Sequence, residues 1–116
     1  MSLSLELRGW EEFRRFLRDF PSRVKIAIEE ASEEASKLIA QSAKRKAPVR
    51  TGKLRDSIRA SSFMVEARVP YAAYVEFGTR KMEAQPFLRP AIEESIPKVR
   101  NIFRTKIEDM IRSRLR

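Results

Sequence analysis

The side chains of this chain that could act as acids or bases are carboxylates and amines. The first candidates are three adjacent glutamate pairs: Glu29/Glu30, Glu33/Glu34 and Glu93/Glu94. Two carboxylates in different environments can serve as general acid and general base. Here each pair lies among lysines and arginines on a predicted outward helix face. We therefore expect solvated surface carboxylates, not a catalytic pair.

The composition removes most other catalytic chemistry. The chain has no cysteine and no histidine. It therefore has no thiolate nucleophile, no imidazole acid or base, no disulfide, no Ser/His/Asp triad and no ordinary zinc ligand set. We expect no enzymatic activity, no metal and no cofactor.

One carboxylate differs from the others in its neighbours. Glu76 lies between Val75 and Phe77 in a mostly apolar turn, with Arg80 and Arg89 nearby in the sequence. A buried carboxylate is costly unless it is paired. We predict a buried or half-buried ion pair that fixes the following loop, with simple exposure to solvent as the alternative.

The net charge of +9 is concentrated in two segments. Between residues 44 and 59, seven cations against Asp56 give +6, and from residue 98 onward seven cations against two acids give +5. Such surfaces suit DNA, RNA or an acidic protein face, and the alternative is a solvated surface that keeps the protein soluble. Because no helix-turn-helix pair or repeated aromatic-basic pattern is apparent, any nucleic-acid contact should be to the backbone, without sequence readout.

Residues 49–53 lack the glycine spacing of a phosphate-binding loop. Their single glycine, Gly52, instead predicts a turn with a positive φ angle.

At the N-terminus, Leu3, Leu5 and Leu7 alternate with polar residues, which predicts a short edge strand that ends at Gly9. A short helix closed by Pro21 follows, with core aromatics expected at Trp10, Phe13, Phe16 and Phe20.

Two long amphipathic helices are predicted, over residues 21–46 and 87–113. Within the first, alanines at positions 27, 31 and 35 imply a close contact with the sheet or with another subunit. Within the second, Pro97 predicts a kink or break near residues 94–97, with Ser95 as a new N-cap. Between the helices, alternation over residues 57–69 predicts a hairpin that turns near Ser61 and Ser62, and residues 71–78 suit one helical turn stopped by Gly78.

These elements predict one α+β domain over residues 1–116, in which a small antiparallel sheet packs with a long N-terminal helix and a C-terminal helix. With 42% hydrophobic and 35% charged residues, the chain can bury one core and keep a dense polar surface. No apolar run approaches the roughly 20 residues of a membrane-spanning helix. We expect a soluble, unexported protein without membrane contact.

Three segments of the middle region share their order and spacing with a known family. They are Ala47-Pro48-Val49-Arg50-Thr51-Gly52-Lys53-Leu54, Tyr71-Ala72-Ala73-Tyr74-Val75-Glu76-Phe77-Gly78-Thr79, and Gln85-Pro86-Phe87-Leu88-Arg89-Pro90-Ala91. Together they resemble the gene-ten-like tail components of long-tailed bacteriophages. These are minor virion proteins that complete the tail or join head to tail. The resemblance covers roughly residues 20–95. The strongly basic segment after Lys98 departs from the family pattern. The source of the protein therefore stays open between an active phage, a prophage remnant and a tail-like particle.

The resemblance implies a structural virion protein that forms a ring at the head-proximal end of the tail and has no enzymatic activity. Its implied partners are copies of itself, head-connector proteins and tail-tube proteins, with nonspecific DNA contact possible through the basic segments. The alternative is a small basic module that binds nucleic acid nonspecifically. The implied location is the virion, assembled in the host cytoplasm.

Two exposed segments are our candidates for assembly interfaces. Their residues are Arg50, Thr51, Gly52, Lys53, Arg55, Arg80, Lys81, Met82 and Glu83. The motif residues with an expected structural role are Tyr71, Tyr74, Glu76, Gly78, Pro86, Phe87, Arg89 and Pro90. Because residues 79–84 are polar and have Met82 as their single apolar anchor, we expect this loop to be mobile in the free subunit and ordered on assembly.

Overall fold

The computed structural model describes residues 3–6, 12, 15, 16, 18 and 20–115. Its long helices are α1 (Ser22–Lys46) and α4 (Leu88–Leu115), and its short helices are α2 (Lys53–Asp56) and α3 (Ala72–Phe77). Its strands are β1 (Leu3–Glu6), β2 (Ile58–Ser61) and β3 (Met64–Ala67). Residues 12, 15 and 16 are also helical, in the segment where a short helix is predicted. The predicted α+β class is confirmed.

The strands form an antiparallel sheet with the order β1-β3-β2. Val65 of β3 pairs with Leu5 on one side and with Ala60 on the other, so β1 is an edge strand as predicted. The predicted strand end at Gly9 lies outside the described residues. The β2–β3 hairpin turns at Ser62 and Phe63, one residue later than predicted, and Phe63 has a φ of 61°. A bulky residue rarely adopts this conformation, so the usual glycine or asparagine signal was missing from the sequence and the turn was placed one residue early.

The two long helices pack antiparallel. Glu94 of α4 contacts Ser42 and Lys46 near the end of α1, whereas Lys106 of α4 contacts Glu30 and Glu34 farther back along α1. The buried alanines Ala27, Ala31 and Ala35 lie in this second stretch. The close approach that these small side chains imply is therefore with α4, a partner that the prediction, which named the sheet or another subunit, did not include.

The main core lies where the sheet meets the C-terminal part of α1 and the start of α4. Its members are Ala40, Ala43, Ala47, Leu54, Ile58, Val65, Ala67, Ala72, Phe87, Leu88 and Ala91. Beyond this core, α1 and α4 continue together, so the molecule extends over 59 × 25 × 19 Å. Its radius of gyration of 16.6 Å exceeds the roughly 13 Å expected of a compact domain of this length.

Two expectations about the helices were wrong. Phe16 and Phe20 are not core residues, because they are 64% and 39% exposed and their rings contact each other edge to face, 5.1 Å between centroids. Trp10 and Phe13 lie outside the described residues. Helix α4 also continues through Pro97, so the predicted break is absent and Ser95 is a buried residue within the helix, not an N-cap, while the alternative of a kink stays a prediction. Pro97 has no N–H, so one intrahelical hydrogen bond cannot form there, yet the helix does not end.

Candidate assembly surface

Helix α3 has two faces of different chemistry. Ala72 and Glu76, four residues apart, are buried on one face. Tyr71, at the N-terminal boundary, and Tyr74 and Phe77 within the helix are 42%, 59% and 72% exposed. Residues three apart on a helix are neighbours, so these aromatic side chains form a row on the solvent side. We call this row the aromatic face.

The buried carboxylate of Glu76 caps the start of α4. Its Oε1 accepts hydrogen bonds from the backbone N–H groups of Phe87 and Leu88, both at 2.9 Å, and its Oε2 accepts from the N–H of Arg89 at 3.1 Å. A helix start leaves four N–H groups without intrahelical partners, and the fourth position here is Pro90, which has no N–H. One side chain therefore satisfies every free donor at the start of α4, and its negative charge lies at the favourable end of the helix dipole.

This arrangement corrects the predicted ion pair. Glu76 is 5% exposed, and it does fix the segment that follows it. Its contacts with that segment, however, are to backbone N–H groups. The guanidinium of Arg89 instead pairs with Glu93 on the surface, at 3.3 Å. Exposed Arg80 lies in the loop between α3 and α4.

Gly78 allows the chain to turn back directly after α3. Its N–H donates to the Tyr74 carbonyl at 2.8 Å, and its φ and ψ of 78° and 175° lie in a region that is essentially restricted to glycine. A Cβ at this position would lie 2.8 Å from the backbone nitrogen of Ala84. The returning chain is tied to α3 by the Gln85 N–H, which donates to the Val75 carbonyl at 2.8 Å. The glycine predicted to stop the helix is thus also required by close backbone packing.

The candidate interface residues Arg80, Lys81, Met82 and Glu83 are all exposed in the loop after Gly78. Thr79 closes this loop, since its N–H donates to the Met82 carbonyl at 2.8 Å and its Oγ1 accepts from the Met82 N–H at 3.1 Å. The mobility of the loop in the free subunit stays a prediction.

The other candidate segment is the turn between α1 and α2. Its exposed residues are Arg50, Thr51, Lys53 and Arg55. Gly52 is buried and has a φ of 83°, which confirms the predicted positive-φ turn. Leu54 anchors α2 in the same buried cluster as Ala72 of α3, so both candidate segments are attached to one core.

Two further motif residues lead into α4. Pro86 is exposed and precedes Phe87, which is fully buried in the main core. Phe87 thus places its side chain in the core while its N–H contacts Glu76. The third motif block therefore both fills the core and supplies the donors for the cap.

A second carboxylate connects the long helices. Glu94 Oε2 accepts a hydrogen bond from Ser42 Oγ at 2.8 Å and lies 2.9 Å from Lys46 Nζ. The hydrogen bond from Lys46, followed by that from Ser42, lowers the pKa of Glu94 below its ordinary value. The prediction of solvated glutamate pairs thus holds for exposure, but it missed this tie between α1 and α4.

Within the described ranges, no group of three or more acidic side chains is placed to hold a metal ion. None of the helices described is long and apolar enough to cross a bilayer.

A family model described as "Bacteriophage HK97-gp10, putative tail-component" matches residues 11–78, more than half of the chain. The chain belongs to this HK97 gp10-like family. A tail component is a structural part of the phage particle, so the resemblance seen in the sequence is confirmed at that level. The chain has no significant match among curated proteins or among solved structures.

The HK97 gp10-like match includes the first motif block and the second block as far as Gly78, whereas the third block lies beyond it. The Glu76 cap connects the matched region to that third block. Sequence reasoning found Glu76 through its apolar neighbours. It missed the groups that donate hydrogen bonds to the Glu76 carboxylate, because backbone N–H groups carry no residue-type signal. Tyr71 and Tyr74 were expected to have a structural role, and the structure places both on the exposed aromatic face.

Proposed function

We propose that this HK97 gp10-like protein is a neck component that forms a ring with copies of itself between the tail tube and the head connector. The observation that carries the proposal is the family match over residues 11–78. The aromatic face adds support, since Tyr and Phe side chains are enriched at protein interfaces. We further propose that this role needs neither catalysis nor a cofactor, because surface complementarity is sufficient for assembly.

The two candidate interface segments have the features that such a ring needs. A closed ring requires a heterologous contact, in which one patch of a subunit meets a different patch of the next. The turn at residues 50–55 is exposed apart from Gly52 and Leu54, and the loop at residues 80–83 is exposed throughout. Each is attached to the core through a short helix. We propose that they contact neighbouring subunits or the adjacent rings.

The test is genetic. The gene is deleted from an inducible phage or prophage that carries it, and the induced lysate is imaged and titred. We expect filled heads beside unattached or malformed tails, because DNA packaging does not depend on a tail-completion part. Supply of the wild-type gene from a plasmid should restore joined, infectious particles. Normally joined, fully infectious particles from the deletion strain would refute the proposal.

A second role, nonspecific contact with DNA, is favoured by the position of the first basic segment. Lys44, Arg45 and Lys46 form the last turn of α1, and Arg50 and Lys53 follow in the adjoining turn. This concentrates exposed cations at one end of the molecule, where they could neutralise phosphates. We propose that this surface contacts DNA or an acidic protein face in the assembled particle.

A further inference from the structure

The aromatic face is held on a rigid support. Behind it, Ala72 is fully buried and Glu76 is bonded to three N–H groups at the start of α4. The Val75 carbonyl is bonded to the returning chain at Gln85. A surface whose backbone is already fixed loses little conformational entropy when it binds. The three aromatic side chains are thus presented in a preorganised form.

The edge of the aromatic face is mainly positive. Arg80 and Lys81 follow Phe77 within four residues, in a loop closed back onto Thr79. Arg89 follows at the start of α4, but its guanidinium already pairs with Glu93, so it adds little net charge to this edge. Against Arg80 and Lys81 the same loop supplies one acid, Glu83. The matching surface of a partner should be apolar at its centre and acidic at its edge.

The solvent side of α1 has this complementary chemistry around Ile26, where exposed glutamates outnumber the exposed Arg23. Ile26 is 54% exposed, and Glu29, Glu30 and Glu33 follow it at helical spacings of three, four and seven residues, all exposed. Glu30 and Glu33 have cation partners within the chain at 3.6 to 3.7 Å, but more than half of each side chain remains exposed. We call this surface the Ile26 face.

The two faces lie toward opposite ends of the molecule. The aromatic face is attached to the start of α4, and Glu94 in that part of α4 contacts Lys46 at the end of α1. Ile26 lies twenty residues before Lys46, a distance of about 30 Å along a helix. A contact between the two faces therefore joins different copies, and it is heterologous, the type that closes rings.

We propose that the aromatic face of one copy docks on the Ile26 face of the next copy. This inference rests on the proposed ring function and names the surfaces that build the ring. Tyr74 and Phe77 pack against Ile26, while Arg80 and Lys81 lie against Glu29 and Glu33 of the neighbour.

The test uses plasmid complementation of the deletion strain. One variant carries Tyr74→Ala and Phe77→Ala, a second carries Glu29→Lys and Glu33→Lys, and a third carries Arg80→Glu and Lys81→Glu. Each should reduce the infectious titre to that of the deletion strain. The matched controls are Ile111→Ala for the apolar change and Glu108→Lys with Asp109→Lys for the charge change, and both should complement normally. All these side chains are exposed, and a urea midpoint equal to that of the wild type verifies that each variant folds.

The decisive variant combines both charge reversals in one chain. Because the cationic edge becomes acidic and the acidic face becomes basic, complementarity between copies is restored, and the titre should recover well above that of either single reversal. A second measurement uses the absence of native cysteine. A chain with Tyr74→Cys and Ile26→Cys should form a ladder of multimers in particles treated with a thiol cross-linker, whereas each single variant should not form a ladder.

The outcomes separate this inference from the proposed function. If the deletion blocks particle completion but the aromatic and acidic variants complement fully, the docking contact is overturned while the neck function stands. If the aromatic variant fails but Glu29→Lys with Glu33→Lys complements, the aromatic face binds a different protein and the contact between copies is overturned. Absence of the cross-linked ladder in complete particles would overturn it as well.

Discussion

Three backbone N–H groups at the start of α4 have the same acceptor, the carboxylate of Glu76. A distant side chain here replaces the local Ser, Thr or Asp that usually caps a helix. The consequence is that this one side chain joins α3, which presents the aromatic face, directly to α4, which forms half of the long helix pair. Substitution of Glu76 therefore affects two elements at once.

We predict that Glu76→Gln lowers the free energy of unfolding by about 2 kcal/mol or more, because the amide loses the charge and offers one acceptor oxygen to three buried donors. Urea denaturation monitored by circular dichroism measures the change. Glu93→Gln is the control, since its pair with Arg89 is exposed and should contribute less than about 1 kcal/mol. Equal effects of the two substitutions would contradict the capping role.

Gly78 provides a second prediction, with Gly52 as a matched comparison. Both have a positive φ, but a Cβ at Gly78 meets the backbone of Ala84 at 2.8 Å, whereas a Cβ at Gly52 first meets the end of the flexible Arg55 side chain at 3.0 Å. Gly52→Ala should cost about 1–2 kcal/mol from the backbone conformation alone. Gly78→Ala should cost more, and urea midpoints of the two variants decide it. A smaller loss for Gly78→Ala would mean that the loop at residues 79–84 can move aside.

The long helices α1 and α4 are the elements that give the molecule its length, and their contact has both an apolar and a polar part. Small alanines allow a close approach, and Glu94 bridges Ser42 and Lys46. The bridge depends on pH, because the acceptor must be ionised to hold the ammonium group of Lys46.

The pKa of Glu94 is lowered in the folded chain, chiefly by the hydrogen bond from Lys46 and then by that from Ser42. Its contribution to stability is therefore present above the pKa of the unfolded chain and is lost as pH falls through the folded pKa. We predict that Glu94→Gln lowers the urea midpoint at neutral pH and that the difference from the wild type disappears in acid. Glu93→Gln serves as the control at both pH values. A difference that is independent of pH would contradict the role of the ionised carboxylate.

Pro97 is the conspicuous local defect of α4. A proline within a helix costs about 3 kcal/mol relative to alanine, because a hydrogen bond is lost and the ring clashes with the preceding turn. Pro97 is exposed, so Pro97→Ala should raise stability by up to about that amount. Pro90→Ala should give no gain, since Pro90 lies in the first turn, where its missing N–H needs no partner. Thermal unfolding compares the two, and a loss of stability in Pro97→Ala would mean that packing requires a bend at this position.

Across the whole molecule, charge is distributed unevenly. Cations surround the end of α1 and the following turn, the basic segment after Lys98 lies in α4, and one patch of the solvent side of α1 carries the acidic Ile26 face. The opposite signs of these patches suit a contact between copies, and the excess of cations also predicts attraction to nucleic acid. Both effects are electrostatic and should weaken as salt rises.

We predict weak binding to duplex DNA that is independent of sequence and disappears at high salt. Lys44→Gln, Arg45→Gln and Lys53→Gln together should reduce the slope of log affinity against log salt by about 1 for each phosphate contact removed. Lys37→Gln is the control, because Lys37 pairs with Glu33. Fluorescence anisotropy with unrelated duplexes provides the measurement. Preference for one duplex that persists at high salt would contradict backbone-only contact.

Local pattern was sufficient to predict most of the elements, but it missed the short helix α2. The 3.6-residue repeat located α1 and α4, and the two-residue alternation located the hairpin. Gly52 marked the turn with a positive φ, and Gly78 marked the end of α3. Periodicity and backbone restriction are properties of neighbouring residues. The motif blocks were likewise sufficient for the family. These predictions needed no knowledge of which distant residues meet.

Tertiary packing decided what the elements do for one another. The partner of Glu76 could not be predicted, since its donors are backbone groups eleven to thirteen residues away that converge on it only in the folded chain. The exposure of Phe16, Phe20 and the aromatic face depends on which surfaces the rest of the chain covers, which hydrophobicity alone does not specify. The continuity of α4 through Pro97 likewise depends on tertiary packing, which can override a local helix-breaking residue.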